Sequence, residues 1–188
     1  MSEPALPDKV LAVDDALSQA HIAHAFGGAL ALAYYAEPRA TDDIDINLFV
    51  APTDFPLVRK VLAPLGLSDE PVSLTTIERD GQCRLWWGRT PLDLFFAYDE
   101  IHEAMRRGAR LQPFGDRRLP MLSPEHLVTC KVIFDRPKDW LDIEQVLVCV
   151  DGLDLAEIGN WIDRIVGSED HRKARFDEIV EALLDQDR

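Results

Sequence analysis

Residues 25–50 read Ala-Phe-Gly-Gly-Ala-Leu-Ala-Leu-Ala-Tyr-Tyr-Ala-Glu-Pro-Arg-Ala-Thr-Asp-Asp-Ile-Asp-Ile-Asn-Leu-Phe-Val. We expect the rest of the chain to be organised around this stretch. It predicts a turn at Gly27-Gly28, a short alanine-rich helix near 29–36, and a strand near 42–50. Pro38 separates the helix from the strand, because proline cannot continue a helix.

Two carboxylates share one face of the predicted strand. Side chains alternate between the faces of a strand, so Asp43 and Asp45 lie on one face and Ile44 and Ile46 on the other. Two neighbouring carboxylates beside an apolar core repel each other and cost desolvation energy. The pair therefore indicates a cationic partner, usually a metal ion.

The glycine pair fits the same interpretation. Glycines between a strand and a helix let the backbone come close to a ligand, and they present N–H groups at the helix N-terminus. Phosphate is the usual ligand of such a turn. Phosphate beside a carboxylate pair indicates Mg²⁺ held between protein and nucleotide.

Size and charge limit the classes of function. The 188 residues are enough for one domain, or for a small domain with a helical extension. The net charge is −14, although residues 84–138 carry 10 basic and 7 acidic side chains. A chain of this charge does not attract nucleic acid through its general field. Any polyanion must bind the middle segment, whereas a cationic small molecule is favoured by the whole.

The sequence also predicts where the protein resides. It contains no run of about 18 apolar residues, so we expect no membrane span. The three cysteines are widely spaced and form no disulfide or metal-binding pattern. A cytoplasmic protein is therefore expected.

Hydrophobic periodicity predicts the remaining elements. Helices are expected at 7–20, 55–64, 99–109, 123–135, from Pro137 onward, 154–166 and 169–186. Strands are expected at 21–26, 73–79, 82–87 and 90–97, with Asp80-Gly81 as a hairpin turn. Arg117 and Arg118 are assigned to a loop. Asp93 lies between apolar residues of the last strand and needs a partner, for which Asp43 and Asp45 with their metal are the candidates.

These motifs together resemble a known superfamily. Gly27-Gly28, Asp43-Ile44-Asp45 and Asp93 between leucines resemble the signature of the DNA-polymerase-β-like nucleotidyltransferases. Residues 39–46 and 122–142 look more narrowly like the AbiEii-type branch, which includes toxins of toxin–antitoxin pairs. The resemblance covers roughly residues 22–147. The chain departs from the pattern in having Gly-Gly where Gly-Ser is common, and in being acidic where many RNA-modifying members are basic.

The resemblance implies a fold and an activity. The fold is α+β: a small mixed β-sheet nucleotidyltransferase core flanked by helices over residues 1–120, and a C-terminal helical bundle over residues 121–188. The activity is Mg²⁺-dependent transfer of NMP from an NTP to a hydroxyl of RNA, in particular a tRNA end, or of a protein. The implied partners are tRNA bound by the 84–138 segment and an antitoxin protein.

The resemblance also assigns roles to residues. Asp43 and Asp45 would hold Mg²⁺ or Mn²⁺ against the NTP, and Asp93 would complete a second metal site and help to deprotonate the acceptor. The nucleotide-binding candidates are Gly27, Gly28, Lys131, Arg39 and Thr41. Arg136 and Asp139 are candidate orienting residues, with Asp139 and Asp142 expected at a helix start or on a helix surface.

Several alternatives stay open at this stage. The protein could instead modify a small molecule such as a cationic antibiotic, or be a catalytically silent scaffold that binds nucleotide or a partner protein. Asp93 could form a salt bridge with Arg84 or Arg89. Lys131 could be a helix lysine whose apolar stem packs on the core. Arg39 and Thr41 could fix the loop before the aspartate strand.

Overall fold

The structure is a computed structural model that describes residues 3–68 and 72–186. The chain divides into two compact units. The first unit consists of residues 1–30 and 40–121, and the second consists of residues 31–39 and 122–188.

The secondary structure alternates in the first half of the chain and is helical in the second half. The helices are α1 Leu6–Gln19, α2 Gly28–Leu32, α3 Phe55–Leu62, α4 Leu74–Asp80, α5 Glu100–Gly108, α6 Pro124–Phe134, α7 Pro137–Cys149, α8 Leu155–Val166 and α9 His171–Gln186. The strands are β1 His24–Phe26, β2 Ile44–Leu48, β3 Gln82–Trp87, β4 Thr90–Phe96, β5 Arg110–Phe114 and β6 Arg117–Met121. None of the described helices is long and apolar enough to span a membrane.

The strands form one mixed sheet in the first unit, in the order β3-β4-β2-β1-β6-β5. The β2–β4 and β1–β6 pairs are parallel, and the other pairs are antiparallel. Together with the helices that precede, interrupt and follow the sheet, this arrangement confirms the predicted α+β class. In this strand order β2 and β4 are direct neighbours, so the aspartates that they carry lie on adjacent strands.

The core of the first unit lies under one face of this sheet. Ile44, Ile46 and Leu48 of β2 are fully buried, and so are Leu92 and Leu94 of β4. Residues in a strand that are two positions apart share a face. The polar residues at the intervening positions, 45 and 93, are therefore held on the opposite face by the burial of their neighbours.

The second unit is a helical assembly. Trp140 and Ile143 of α7, Ile158 and Ile162 of α8 and Phe176 of α9 are at most 2% exposed. Helix α6 begins at the predicted signal: the Ser123 hydroxyl accepts a hydrogen bond from the backbone N–H of His126, with Pro124 in the first turn.

The strand predicted at residues 73–79 is wrong, because this segment is helix α4. The Ser73 hydroxyl accepts the backbone N–H of Thr76 and caps the helix. The glycine predicted to form a hairpin turn, Gly81, is in the left-handed conformation and ends the same helix. The hairpin lies eight residues later, between β3 and β4.

The loop assignment of Arg117 and Arg118 is also wrong, because both residues belong to strand β6. β6 pairs with β5 across a turn containing Gly115, whose φ of 62° suits glycine. This hairpin forms one edge of the sheet.

Candidate active site

The centre of the site is a pair of aspartates on neighbouring strands. In the parallel ladder of β2 and β4, Asp45 lies directly opposite Asp93. Directly opposed residues on adjacent strands project to the same face of the sheet. The third strand extends the row, because Arg84 of β3 lies opposite Asp93.

Asp43 lies just before β2 and is held by its own loop. The Thr41 hydroxyl is 2.8 Å from Oδ1 of Asp43, and the backbone N–H of Asp43 donates to the same hydroxyl over 3.3 Å. These two bonds fix the carboxylate relative to the strand. Thr41 therefore orients Asp43 in this structure, and its role as a nucleotide ligand stays a prediction.

Gly28 lies against the carboxylate of Asp45. Its φ is +50°, and a Cβ at this position would lie 1.7 Å from Oδ2 of Asp45. The preceding glycine, Gly27, donates its N–H to the carbonyl of Asp45 over 2.9 Å. Both glycines thus pack on the first residue of the Asp45–Asp93 pair, and only glycine fits at position 28.

Asp93 forms a two-pronged ion pair with Arg84. Nε of Arg84 is 2.7 Å from Oδ1 of Asp93, and Nη2 is 2.7 Å from Oδ2. The pKa of Arg84 is raised, chiefly by this hydrogen bonding to Asp93 and further by the charges of Asp93, Asp43 and Asp45. The Arg84 guanidinium is thus within electrostatic range of all three carboxylates.

Cys83 precedes Arg84 on β3, and the charge of Asp93 affects its pKa as well. Burial raises the pKa of the Cys83 thiol to about 12, and the negative charge of Asp93 adds to the shift. A thiol with such a pKa is protonated at neutral pH and is a poor nucleophile. Cys83 is therefore not a candidate nucleophile at neutral pH.

The aspartates fit a divalent cation in their chemistry. Carboxylate oxygens are the donors that Mg²⁺ prefers, and a cation, the Arg84 guanidinium, already lies against them. Among residues 3–68 and 72–186, however, no group of three or more His, Cys, Asp or Glu side chains is spaced to hold a metal ion. Both oxygens of Asp93 bind Arg84 instead. The three-carboxylate metal site thus stays a prediction.

The predicted residues from the second half of the chain come together in the second unit. Lys131 Nζ is 2.6 Å from Oδ2 of Asp142 and 3.5 Å from Oδ1 of Asp139. Arg39 binds both oxygens of Asp142, at 3.3 and 3.2 Å. Arg136 binds both oxygens of Asp139, at 2.6 and 3.1 Å. Three cations and two carboxylates form one cluster.

This cluster corrects the expectation for its two acids. Asp139 and Asp142 were expected at a helix start or on a helix surface. Asp139 does lie in the first turn of α7, although it is fully buried, whereas Asp142 lies one turn further along and is only 5% exposed. Asp139 does contact both Lys131 and Arg136, the two residues that it was expected to orient. Because Lys131 is itself buried and ion-paired, its binding of phosphate stays a prediction.

Most of the basic side chains in residues 84–138 are paired with acids. Arg117 contacts Asp14 at 2.7 Å and Asp15 at 2.8 Å. The same holds for the pairs Arg84–Asp93, Arg106–Glu103, Arg107–Glu103, Lys131–Asp142 and Arg136–Asp139. A neutralised cation attracts a polyanion less than an unpaired one. The segment is thus less suited to RNA than its composition indicates.

Two residues of these clusters carried little signal in the sequence. Arg84 entered only as an alternative partner for Asp93, because the sequence did not distinguish a pair with Arg84 from one with Arg89 or from a shared metal site. Asp142 looked like a surface acid. The helical spacing that puts it beside Asp139, three residues earlier on α7, was the signal that could have revealed it.

The chain has the fold of solved nucleotidyltransferases. The chain is similar to the antibiotic-resistance factor ANT(2'')-Ia in solution, with a TM-score of 0.62, 16% identity and 98% of each chain covered. The crystal structure of ANT(2'')-Ia in complex with adenylyl-2''-tobramycin gives a TM-score of 0.56 at 14% identity, covering 97% of this chain and 98% of that one.

A third solved structure has the same architecture. The lincosamide antibiotic adenylyltransferase LnuA, bound to lincomycin, matches with a TM-score of 0.55 and 14% identity, over 79% of this chain and 100% of that chain. No protein-family model and no curated protein matches the sequence. At these identities the likeness establishes the fold.

Proposed function

We propose that the protein is a divalent-metal-dependent nucleotidyltransferase, which moves NMP from an NTP to a hydroxyl group. The observation that carries the proposal is the register of Asp45 with Asp93, with one guanidinium in the field of both and of Asp43. The nucleotidyltransferase fold supports it.

Asp43 and Asp45, the threonine before them and the glycine turn have different roles in the proposed reaction. Asp43 and Asp45 would hold the cation, and Thr41 keeps Asp43 in position. Gly28 leaves space for the Asp45 carboxylate, and the glycine turn would bring backbone N–H groups to phosphate. The cation, when bound, neutralises the charge that develops on the phosphate oxygens.

Asp93 is the candidate general base. It would accept the proton of the acceptor hydroxyl, whose oxygen then bonds to the α-phosphorus while the bond to pyrophosphate breaks. Its position opposite Asp45 supports this role. Little covalent chemistry is left to the protein, and its contribution is positioning and charge stabilisation.

We infer that the acceptor is a small, cationic molecule. The net charge of −14 favours a cation, and most basic side chains of the 84–138 segment are paired with acids of the same chain. In the first unit a cleft of about 400 Å³ is lined by two acids, Glu3 and Asp42, and by two cations, Lys9 and Arg89, which both pair with Glu3. Its size, and not its charge, supports a small-molecule acceptor. This volume lies within the range of about 300–1,000 Å³ that small-molecule sites occupy. ANT(2'')-Ia and LnuA, each solved with an antibiotic or its adenylylated product, are consistent with this choice.

An RNA or protein acceptor is the second candidate. The segment around Lys131, Arg136, Asp139 and Asp142 favours it, because these residues carry the resemblance to the AbiEii-type branch and form one buried cluster. A role as the toxin of a toxin–antitoxin pair, with an antitoxin partner, belongs to this candidate alone.

One incubation tests the proposal. Purified protein is mixed with Mg²⁺, each α-labelled NTP, and either total tRNA or a panel of aminoglycosides and lincosamides. We expect label in a drug and release of pyrophosphate. Asp45→Asn should lower the rate by about 10²–10³-fold or more, whereas the matched exposed change Asp80→Asn should not. Asp93→Asn should spare nucleotide binding and lose turnover.

The outcome separates the candidates. Label in tRNA or in protein would replace the small-molecule acceptor with the second candidate. Bound nucleotide with no label in any acceptor would contradict nucleotidyl transfer and support a silent scaffold. A wild-type rate in Asp93→Asn would remove the general base from the mechanism.

A further inference from the structure

Arg84 is placed as a counterion of the carboxylates. It is the cross-strand partner of Asp93, and its guanidinium meets both carboxylate oxygens at 2.7 Å. Such two-pronged pairs are among the stronger ion pairs in proteins. Its side chain is 50% exposed, while that of Asp93 is 16% exposed. The guanidinium thus approaches Asp93 from the solvent side.

The influence of Arg84 extends beyond Asp93. The charges of Asp43 and Asp45 also favour its protonated form, so one positive charge serves three negative ones. A divalent ion bound by these aspartates would enter the same field. Two cations drawn to one carboxylate group repel each other, and a guanidinium cannot lose its charge in a protein.

Arg84 has another contact that is independent of Asp93. Its Cζ lies 5.8 Å from the ring centroid of Trp86, two residues further along the same face of β3. An arginine over an aromatic ring gains a cation–π interaction. Asp93 is therefore one of two groups that attract the Arg84 guanidinium.

We propose that Arg84 competes with the divalent cation for Asp93: it holds the carboxylate in place in the metal-free protein and is displaced when the cation binds. This inference rests on the proposed function, since it concerns the same site. It makes Arg84 a positioning residue that acts through Asp93.

The direction in which cation affinity changes when Arg84 is removed distinguishes competition from a purely structural role. If Arg84 only supported the sheet, its removal would leave cation affinity unchanged or weaker. If it competes, its removal tightens cation binding and destabilises the metal-free protein, because three carboxylates then repel one another without their counterion.

Manganese binding without nucleotide tests the proposal. The affinity for Mn²⁺ is measured by titration calorimetry and by the electron paramagnetic resonance signal of unbound Mn²⁺. We expect Arg84→Gln to bind at least about tenfold tighter than wild type. Arg84→Lys, which keeps the charge but not the fork, should lie between them.

A matched control and a second readout complete the design. Arg79→Gln removes another two-pronged arginine–aspartate pair of the first unit, between Arg79 and Asp80, and should bind Mn²⁺ as wild type does. In thermal unfolding, Arg84→Gln should melt below wild type without metal, and Mn²⁺ should raise its melting temperature more than that of wild type.

The possible failures are distinguishable. Equal or weaker Mn²⁺ binding by Arg84→Gln, with wild-type binding that Asp45→Asn abolishes, overturns the competition and leaves the proposed function intact. If neither wild type nor Arg84→Gln binds Mn²⁺, with or without nucleotide, the competition and the proposed metal-dependent function are overturned together.

Discussion

Replacing Gly28 with alanine tests the geometry of the site directly. The new Cβ would lie 1.7 Å from Oδ2 of Asp45, whereas heavy atoms in contact prefer about 3.5–4.0 Å. The carboxylate or the glycine turn must therefore move by roughly 1.5–2 Å. The backbone adds a cost of its own, because a φ of +50° is unfavourable for alanine by about 1–2 kcal/mol.

The two costs can be separated with Gly115→Ala. Gly115 has a similar φ of +62°, and a Cβ there would meet no atom within 4 Å. In Gly115→Ala the positive φ destabilises the folded state, while the alanine restricts the unfolded chain and so stabilises the protein by about 0.4–1 kcal/mol. The net effect should be a variant about 1 kcal/mol less stable than wild type. Gly28→Ala should lose more, because it carries the clash as well.

The assay is Mn²⁺ affinity measured beside the free energy of unfolding. Moving a carboxylate or its support typically weakens metal binding by about 10–100-fold. We expect that loss in Gly28→Ala and wild-type affinity in Gly115→Ala. Equal affinities in the two variants would refute the reasoning, because the Asp45 carboxylate would then not be part of a cation site.

Three further predictions concern groups around the site and in the second unit. Burial lowers the pKa of His102 below 6.5. As the pH falls, the unfolded chain therefore binds a proton at this histidine before the folded chain does, which favours unfolding. In urea unfolding between about pH 7.5 and 5.5, wild type should lose more stability than His102→Gln. Because burial raises the pKa of Cys83 to about 12, iodoacetamide at about pH 8 should label exposed Cys149 far faster than Cys83, as peptide mass spectrometry would show. Asp139→Asn should cost about 1.5–3 kcal/mol in thermal unfolding, because it removes the charge of a buried carboxylate that accepts from Arg136 and lies 3.5 Å from Lys131, which keeps its pair with Asp142.

These predictions have their own controls. Glu103→Gln breaks an exposed two-pronged pair with Arg106 and should cost at most about 1 kcal/mol. A loss of that size in Asp139→Asn would mean that the buried cluster contributes no more than a surface pair. If the stability of wild type and of His102→Gln changes equally with pH, the prediction for His102 is contradicted. If iodoacetamide labels Cys83 and Cys149 at equal rates, the prediction for Cys83 is contradicted.

Much of the fold follows from patterns local to the chain. The alternation in β2 and β4 and the capping signal at Ser123 were enough to predict those elements. Residues 73–79 do not alternate: their apolar residues, Leu74 and Ile77, are three positions apart, which suits a helix, and Ser73 and Gly81 supply helix caps at either end. In a segment this short, cap hydrogen bonds outweigh the preference of threonine and isoleucine for strands.

The site was only partly predictable. Sequence indicated Asp43 and Asp45 because they share a strand, and Asp93 because it interrupts an apolar run. The pairing of Asp45 with Asp93 depends on a parallel register between segments nearly fifty residues apart, which no local pattern specifies. The ion pair of Arg84 with Asp93 was foreseen as an alternative, since both residues lie in adjacent predicted strands, but the sequence did not distinguish Arg84 from Arg89 as the partner.

The central claim is that Asp43, Asp45 and Asp93 hold a divalent cation beside a nucleotide. Crystals grown with Mn²⁺ and a non-hydrolysable NTP analogue test it through the anomalous scattering of manganese. The account predicts anomalous density within coordination distance, about 2.0–2.3 Å, of carboxylate oxygens from Asp43, Asp45 and Asp93 and of a phosphate oxygen. Bound nucleotide with no peak at these aspartates, and with Arg84 still paired to Asp93, would contradict it.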